Sequence, residues 1–305
     1  MDGAYRYRIK FYYSYIKGMK LSIVTKVFFC AAAVALLSAC SHGNGVSPDN
    51  AGVESDGVIA TEPIAFEIKT AERNYHAVET GLDYDFYLTV SADVQWPTRI
   101  SAYDIKPLQD TLMARLFPSI KAGGIDDAIR SYLKDVNVYQ LPGKYEIADS
   151  IPAESEYNNM YYATASATIE EVTTDLVTFN ISNVQYMGGA HPLSASFPFS
   201  YDLKTGNVVS LGNLFEKGNE AEIAEVITDQ IAQQLNLTPD EMKQSLLVDS
   251  IPVSHVVYIS DGQIVFHYNQ YEILPYSFGQ INVEVSPYQV QDYLTPAACK
   301  LLIVD

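Results

Sequence analysis

The residues of this chain best suited to acid–base or metal chemistry are the five histidines beyond residue 40. They are His42, His76, His191, His255 and His267. No two of them are four residues apart, the spacing that places two imidazoles on one helix face, so the sequence predicts no metal site. Walker, G-x-G-x-x-G, G-x-S-x-G and H-E-x-x-H motifs are absent, and we therefore predict no catalytic residue and no cofactor.

His191 is the histidine with the most informative neighbours. Gly188 and Gly189 precede it and permit backbone angles that other residues avoid, while Pro192 stiffens the chain after it. One interpretation is a tight turn in which the imidazole bonds to backbone carbonyls. The other is a loop that presents Gly188, Gly189 and His191 to a ligand. An enzymatic alternative pairs His191 with a carboxylate, Asp202 or Glu272, as in a hydrolase.

A second informative stretch is dense in aromatic residues and runs from Tyr268 to Gly279. Tyr271, Glu272 and Tyr276 are the candidate binding residues within it. Tyrosine is large, stiff and amphipathic, so these side chains suit stacking on a sugar or filling a partner's groove. Packing within the core is the alternative, since the chain contains 23 tyrosines.

The amino terminus predicts export. Lys17 and Lys20 precede a mostly apolar run over residues 21–39, which is the layout of a secretory signal peptide. The run ends in Leu37-Ser38-Ala39-Cys40, which resembles a bacterial lipobox. That resemblance implies cleavage after Ala39 and attachment of lipid, including palmitate, at Cys40. A retained spanning helix is the alternative, because such a helix needs about 20 apolar residues. Met19 is a plausible start of translation.

The charge of the mature protein restricts its partners. The chain has 19 Lys and Arg against 37 Asp and Glu, and residues 1–40 hold six of the bases and one of the acids. The remainder therefore carries a net charge of about −23. This surface repels nucleic acid and anionic polymers, attracts cationic proteins and tolerates neutral sugars. With Cys30 removed in the signal peptide and Cys40 lipidated, Cys299 has no cysteine to pair with, so the fold must be held by its core.

Residues 40–62 predict a flexible tether, because they are rich in Gly, Ser, Asp and Pro and contain little to bury. The tether would hold the folded part away from a membrane. No acidic run follows Cys40, which favours an anchor facing the periplasm over one exposed at the cell surface.

From Pro63 onward the sequence predicts an α+β fold with mainly antiparallel sheets and a few packed helices in two linked units. Period-two alternation predicts strands at 84–91, 197–201 and 281–285. It also predicts two hairpins, one made by strands at 161–169 and 177–181 and one over 256–268 with its turn at Asp261-Gly262. Apolar spacing of three and four residues predicts helices at 108–116, 125–133 and 219–235, the last capped by Asn219.

Several of these segments together resemble a bacterial envelope family. They are Tyr186–Pro192 (YMGGAHP), Tyr201–Gly206 (YDLKTG), Leu211–Phe215, and Tyr271–Gly279 (YEILPYSFG). The family includes the extracellular part of RsiV-type anti-sigma factors and the non-catalytic domains of PdaC-type peptidoglycan deacetylases. The resemblance implies a PdaC-like α+β domain at 63–190 followed by an RsiV-like α+β domain at 191–305.

For RsiV-type proteins, the resemblance implies recognition of lysozyme, a strongly cationic enzyme that suits the acidic surface here. Deacetylase activity is not implied, because it needs paired metal histidines and Met187 stands four residues before His191. We therefore expect a lipid-anchored envelope protein that binds a lysozyme-like cationic protein or a peptidoglycan fragment. Its membrane contact would be the lipid anchor, and nucleic acid is not an expected partner.

Overall fold

The computed structural model describes residues 65–152 and 160–302, and residues 63–305 form one compact unit. The signal peptide and tether, with Ala39 and Cys40, lie outside the described residues. Eight strands form the larger of two sheets in the order β3-β1-β2-β4-β5-β7-β8, and β6 also pairs with β5. These strands are β1 Ala65–Val78, β2 Phe86–Arg99, β3 Lys144–Ala148, β4 Met160–Val172, β5 Leu176–Tyr186, β6 Leu193–Ser196, β7 Phe199–Asp202 and β8 Asn207–Val208.

The helices and the smaller sheet follow the same chain order. The six α-helices of the described residues are α1 Lys106–Leu116, α2 Ile125–Lys134, α3 Leu211–Leu214, α4 Glu220–Leu235, α5 Pro239–Ser245 and α6 Pro296–Leu302. The smaller sheet has the order β11-β10-β9, with β9 Val257–Ser260, β10 Gln263–Tyr268 and β11 Ile281–Val285.

Alternation along the strands gives the large sheet two different faces. We call the face that packs against helices the core face; on β2 it carries Leu88, Val90, Ala92 and Val94, all fully buried. The opposite face, which we call the open face, carries half-buried or exposed polar and aromatic residues. On its four adjacent strands these are Thr70, Glu72, Asn74 and His76 of β1, Tyr87, Thr89, Ser91 and Asp93 of β2, Tyr162, Thr164 and Ser166 of β4, and Ser182, Val184 and Tyr186 of β5.

Helices α1 and α2 cover the core face because each has one apolar side. Leu108, Leu112 and Leu116 are buried along α1, four residues apart, and α2 buries Ile125 and Leu133 among others. Four-residue spacing aligns side chains along one helix face. Both helices join the hydrophobic core of the large sheet.

The smaller sheet packs with α4 into a second core and meets the large sheet near β5 and β7. Ile223, Ile227 and Ile231 form the buried stripe of α4. Thr178 of β5 and Ser200 of β7, both fully buried, donate to the Ile259 carbonyl at 2.8 and 3.2 Å. The small sheet therefore reaches the open-face side of β5.

The structure confirms the predicted α+β class with mainly antiparallel sheets and packed helices. It differs from the sequence prediction in several details, two of which concern strand pairing and helix capping. One neighbouring pair, β2 and β4, is parallel, with α1 and α2 in the crossover between them, whereas no such unit was predicted. Asn219 is the N-cap of α4, but its side chain donates to the Glu216 carbonyl and does not cap the helix.

The division into domains at 63–190 and 191–305 stays a prediction about independent folding. Strands β6 to β8 lie beyond residue 190 and nevertheless pair within the large sheet. The signal peptide at 1–39 and the tether at 40–62 also stay predictions.

Candidate functional site

The loop that carries His191 begins where β5 ends. Gly188 and Gly189 have φ angles of 86° and 110°, in the left-handed region that favours glycine. A Cβ on Gly189 would meet nothing within 4 Å, so the backbone conformation, and not the space, requires glycine there. The Tyr186 hydroxyl donates to the Gly189 carbonyl at 2.9 Å and closes the loop. The loop is therefore held in one conformation by its own residues.

The second aromatic segment follows β10 and is shaped by a tight turn. Tyr271 has a φ of 63°, which is uncommon for a residue with a large side chain. The turn is fixed by two hydrogen bonds at 3.0 Å, from the Asn269 backbone N–H to the Glu272 carboxylate and from the Glu272 N–H to the Asn269 carbonyl. Glu272 thus orients the turn that presents Tyr271.

The fold brings His191, Tyr271 and Tyr276 into one cluster, although 80 and 85 residues separate the histidine from the two tyrosines. The His191 ring stacks on Tyr276 with centroids 3.6 Å apart and an interplanar angle of 16°. The Tyr271 hydroxyl lies 3.3 Å from His191 Nε2, and the Tyr276 hydroxyl donates to the Pro192 carbonyl at 3.3 Å. All three side chains are half-buried, so the cluster is ordered and still reaches solvent.

Hydrogen-bond partners assign the proton of His191. Its Nδ1 lies 3.1 Å from the Pro192 carbonyl, which can only accept, so Nδ1 carries the hydrogen. In the neutral ring Nε2 is then an acceptor, and the Tyr271 hydroxyl donates to it. The ring faces and the hydroxyls of the two tyrosines are therefore the chemical groups that this cluster offers to a ligand.

The structure does not place a carboxylate against His191. Within the described part of the chain its hydrogen-bond partners are Pro192 and Tyr271. The Asp202 carboxylate instead accepts from the backbone N–H groups of Lys204 and Thr205 and shapes the turn between β7 and β8. In the described part of the chain, neither Asp202 nor Glu272 is the hydrogen-bond partner of His191 that the hydrolase alternative would require.

A buried polar network connects the two chain segments that carry the His191–Tyr271–Tyr276 cluster. The Ser196 backbone N–H donates to Asn269 Oδ1 at 2.7 Å, and Asn269 Nδ2 donates to the Ser196 carbonyl at 3.0 Å. The Ser196 hydroxyl donates to Gln280 at 3.0 Å, and His267 Nε2 lies 3.3 Å from Asn269 Oδ1. These bonds tie β6 to the segment after β10, so they fix the distance between the two loops of the site.

His267, which lies between Phe266 and Tyr268 on β10, is in the interior. Its side chain is 2% exposed, and Nδ1 lies 2.6 Å from Asn282 Oδ1. Within the described ranges 65–152 and 160–302, no group of three or more His, Cys, Asp or Glu side chains could hold a metal ion. No helix of the described ranges is long and apolar enough to cross a membrane.

Sequence reasoning missed the tyrosines of the open face that lie next to the cluster. Tyr162 and Tyr186 are cross-strand partners on β4 and β5, with ring centroids 6.0 Å apart. Burial raises the pKa of Tyr162, and the nearby phenols of Tyr186 and Tyr276 raise it further. The sequence does indicate that Tyr162 lies on the face of the strand opposite the alanines at 163, 165 and 167. Alternation alone does not tell which of the two faces binds a ligand.

A separate groove of about 650 Å³ lies between α1, α2 and the start of β1. Trp96 forms part of the wall of this groove, and the charged residues that line the groove are paired with one another. Lys69 lies 2.8 Å from Glu67 and 3.5 Å from Asp126, while Arg130 pairs with Asp127. These carboxylates already neutralise the basic groups, so the groove presents no surplus cation to an anionic ligand.

Comparison with known proteins gives a family match in the second half of the chain. Residues 212–288 match the family model described as "Protein of unknown function (DUF3298)". This stretch contains α4, the small sheet, and Tyr271 and Tyr276, but not the loop with His191. No curated protein matches the chain at a significant level.

Two solved structures share the fold. A DUF3298 family member from Bacteroides fragilis NCTC 9343 aligns with a TM-score of 0.60 and 18% identity, over 78% of this chain and 97% of that one. A DUF3298 family protein from Pseudomonas aeruginosa PAO1 aligns with a TM-score of 0.54 and 15% identity, over the same shares of the two chains. At such low identity the likeness concerns the fold.

Proposed function

We propose that the chain is a lipid-anchored protein of the cell envelope whose folded part binds a cationic protein, for which a lysozyme-like enzyme is the model ligand. The observation that carries the proposal is the net charge of about −23 beyond residue 40. A charge of this size attracts a cationic partner over several ångströms and speeds association at low salt.

The distribution of charge on the folded part supports this ligand. Basic side chains lie beside carboxylates, as in the pairs Lys106–Asp110, Lys144–Glu79 and Lys204–Asp175. Helix α4 in contrast exposes a row of acids at helical spacing, Glu222, Glu225 and Asp229. Side chains three and four residues apart share a helix face, so this row forms one negative stripe. The stripe lies within the segment that matches the family model.

Calorimetric titration of the full mature chain with lysozyme, at low and at high salt, tests this ligand. We expect binding that weakens as the salt concentration rises, because screening shortens the range of attraction. A variant in which the charge of the stripe is reversed by Glu222→Lys, Glu225→Lys and Asp229→Lys should bind lysozyme more weakly. The loss should exceed that of a control variant with the same charge reversal at Asp83, Asp85 and Glu79. Absence of heat at low salt with correctly folded protein contradicts the proposal.

The anchor is the second element of the proposal. Leu37-Ser38-Ala39-Cys40 supports cleavage after Ala39 and lipid attachment at Cys40, and the lack of an acidic run after Cys40 supports a periplasm-facing position. Growth with labelled palmitate should label the wild-type chain and leave Cys40→Ala unlabelled and released from the membrane fraction. Unchanged membrane attachment of Cys40→Ala contradicts this element.

A peptidoglycan fragment is the second candidate ligand. The specific observation in its favour is the His191–Tyr271–Tyr276 cluster, which offers half-buried ring faces and hydroxyls and places no carboxylate at His191. Such groups suit binding of a sugar and lack the acid–base pair that hydrolysis of its bonds requires.

A further inference from the structure

Aromatic side chains cross the open face of the large sheet at one end. His76 and Tyr87 are cross-strand partners on β1 and β2, and their rings stack with centroids 4.7 Å apart at 9°. Tyr162 and Tyr186 are partners on β4 and β5. These four side chains and Tyr276, which stacks on His191, form a surface that we call the aromatic strip. Its five members are His76, Tyr87, Tyr162, Tyr186 and Tyr276. None of its members is fully buried, and the His76 side chain retains 30% of its exposure.

Hydroxyl and amide groups accompany the aromatic strip on the same face. Thr89 lies in register between Asn74 and Tyr162, and its hydroxyl donates to Asn74 at 2.8 Å. In the next row Ser91 and Thr164 share a hydrogen bond of 2.9 Å. A hydroxyl has one hydrogen and two lone pairs, so each of these groups retains capacity for a further bond.

The charge of the open face selects among ligands. The open-face positions of β1, β2, β4 and β5 between Thr70 and Tyr186 carry no Lys or Arg, and their acids are Glu72 and Asp93. On the edge strand β3 the same face carries Glu146, opposite His76, and Lys144, which pairs with Glu79. A surface whose one nearby cation is neutralised in this way does not attract phosphate or carboxylate polymers. Ring faces flanked by hydroxyls and amides match the apolar face and the hydroxyl edge of an uncharged pyranose.

We propose that the aromatic strip and its neighbouring hydroxyl row bind a neutral glycan chain, with sugar rings stacked on the tyrosines and sugar hydroxyls bonded to the Ser, Thr and Asn side chains. This inference extends the second candidate ligand of the proposed function and names the surface that holds it. Neighbouring strands lie about 4.8 Å apart, so β1 to β5 span roughly 14 Å, a length that suits an oligosaccharide and exceeds a single sugar.

The strip also adjoins the loop cluster, which gives the glycan a continuous path. Tyr276 belongs to both, since it stacks on His191 and influences the ionisation of Tyr162. The tight loops around Gly189 and Tyr271 then form one end of the binding surface and the His76–Tyr87 stack forms the other. Because these groups are held by cross-strand pairing, they need no rearrangement to bind.

Titration of the full mature chain, purified in detergent, with chitotetraose and with cellotetraose tests the inference. We expect measurable binding of at least one tetrasaccharide and a loss of about tenfold in affinity for Tyr162→Ala, the usual effect of truncating one anchoring aromatic residue. Tyr288→Ala is the matched control, because Tyr288 is 58% exposed and lies outside the strip. Unchanged affinity in folded Tyr162→Ala, or no binding of either sugar, overturns the inference.

Nitration of the wild-type chain decides the question where Tyr162→Ala does not fold. Saturating tetrasaccharide should protect Tyr87 and Tyr162 from tetranitromethane and leave nitration of Tyr288 unchanged, as read by mass spectrometry. Equal modification of all three tyrosines with and without the sugar overturns the inference. A separate titration with lysozyme distinguishes failure of the glycan inference from failure of the proposed function. If lysozyme binds and neither sugar does, the glycan inference is wrong and the proposed binding of a cationic protein stands.

Discussion

The two faces of the large sheet are made by the same strands and have opposite chemistry. On β2, Leu88, Val90 and Val94 point to the core face and are fully buried against α1 and α2. Tyr87 and Ser91, which alternate with them, point to the open face and remain half-buried. Burial of apolar area is the dominant favourable term in folding, so the core face accounts for stability.

The open face is richer in aromatic residues than a solvated sheet face needs to be. Threonine and serine suffice for an exposed strand, and large aromatic side chains on a polar face raise the risk of aggregation. A cross-strand stack such as His76 on Tyr87 contributes about 0.2–1 kcal/mol to the sheet and leaves part of each ring accessible. One face of the sheet therefore holds the fold together, and the other is the face to which we assign the proposed glycan.

The largest expected effect concerns the core face. Phe179→Ala should lower the free energy of unfolding by about 3–5 kcal/mol, because Phe179 is fully buried and stacks with Phe199 at 5.5 Å. Ser166→Ala on the open face is the matched control, with an expected loss of less than about 1 kcal/mol. Urea unfolding followed by circular dichroism measures both. Equal losses of unfolding free energy in the two variants would contradict the conclusion that the core face accounts for stability.

A smaller effect concerns the network that joins the two loops of the site. Asn269→Ala removes the bonds to both backbone groups of Ser196 and leaves those groups buried, so we expect a loss of about 2–3 kcal/mol. Asn207→Ala, at an exposed residue of β8, should cost far less. Chemical denaturation gives both values. A loss for Asn269→Ala no larger than that of the control contradicts the role assigned to the network.

The smallest effect is a dependence on pH in the alkaline range. Burial, with a smaller contribution from the carboxylates of Glu170 and Glu284, raises the pKa of Tyr258 to about 12. Folding therefore favours the protonated phenol. Its stabilising contribution is complete below the unfolded pKa of about 10 and is lost as the pH rises toward 12. Tyr258→Phe cannot ionise, so its unfolding free energy should fall less steeply over this range. Identical slopes in the two proteins contradict the assignment.

Much of the fold follows from local patterns. Leucines four residues apart predict α1, and alternation predicts β2, the β4–β5 hairpin and the hairpin of β9 and β10, all of which the structure confirms. Strand β1 was not predicted, although Phe66 and Ile68 alternate with Glu67 and Lys69; in the structure these two apolar side chains are exposed. The parallel pairing of β2 with β4 was also missed, since pairing between distant strands leaves no local signal.

The two loops of the candidate site could each be predicted from the sequence, but their contact with one another could not. Glycines and a proline around His191 indicate a shaped loop, and the density of tyrosines after residue 268 indicates a second one. That His191 stacks on Tyr276 depends on contacts between residues 85 positions apart, which local spacing cannot supply. Tyr87 and Tyr162 were read as ordinary strand residues, because alternation identifies two faces and does not tell which one the helices cover.

Two adjacent residues of β2 test the central claim most directly. Tyr87→Ala truncates a side chain of the open face and Leu88→Ala truncates one of the core face. We expect Tyr87→Ala to keep most of its stability and to bind tetrasaccharide about tenfold more weakly. Leu88→Ala should lose about 2–5 kcal/mol of unfolding free energy, while its folded fraction binds the sugar with unchanged affinity. Sugar affinity that falls in Leu88→Ala and persists in Tyr87→Ala would contradict the account.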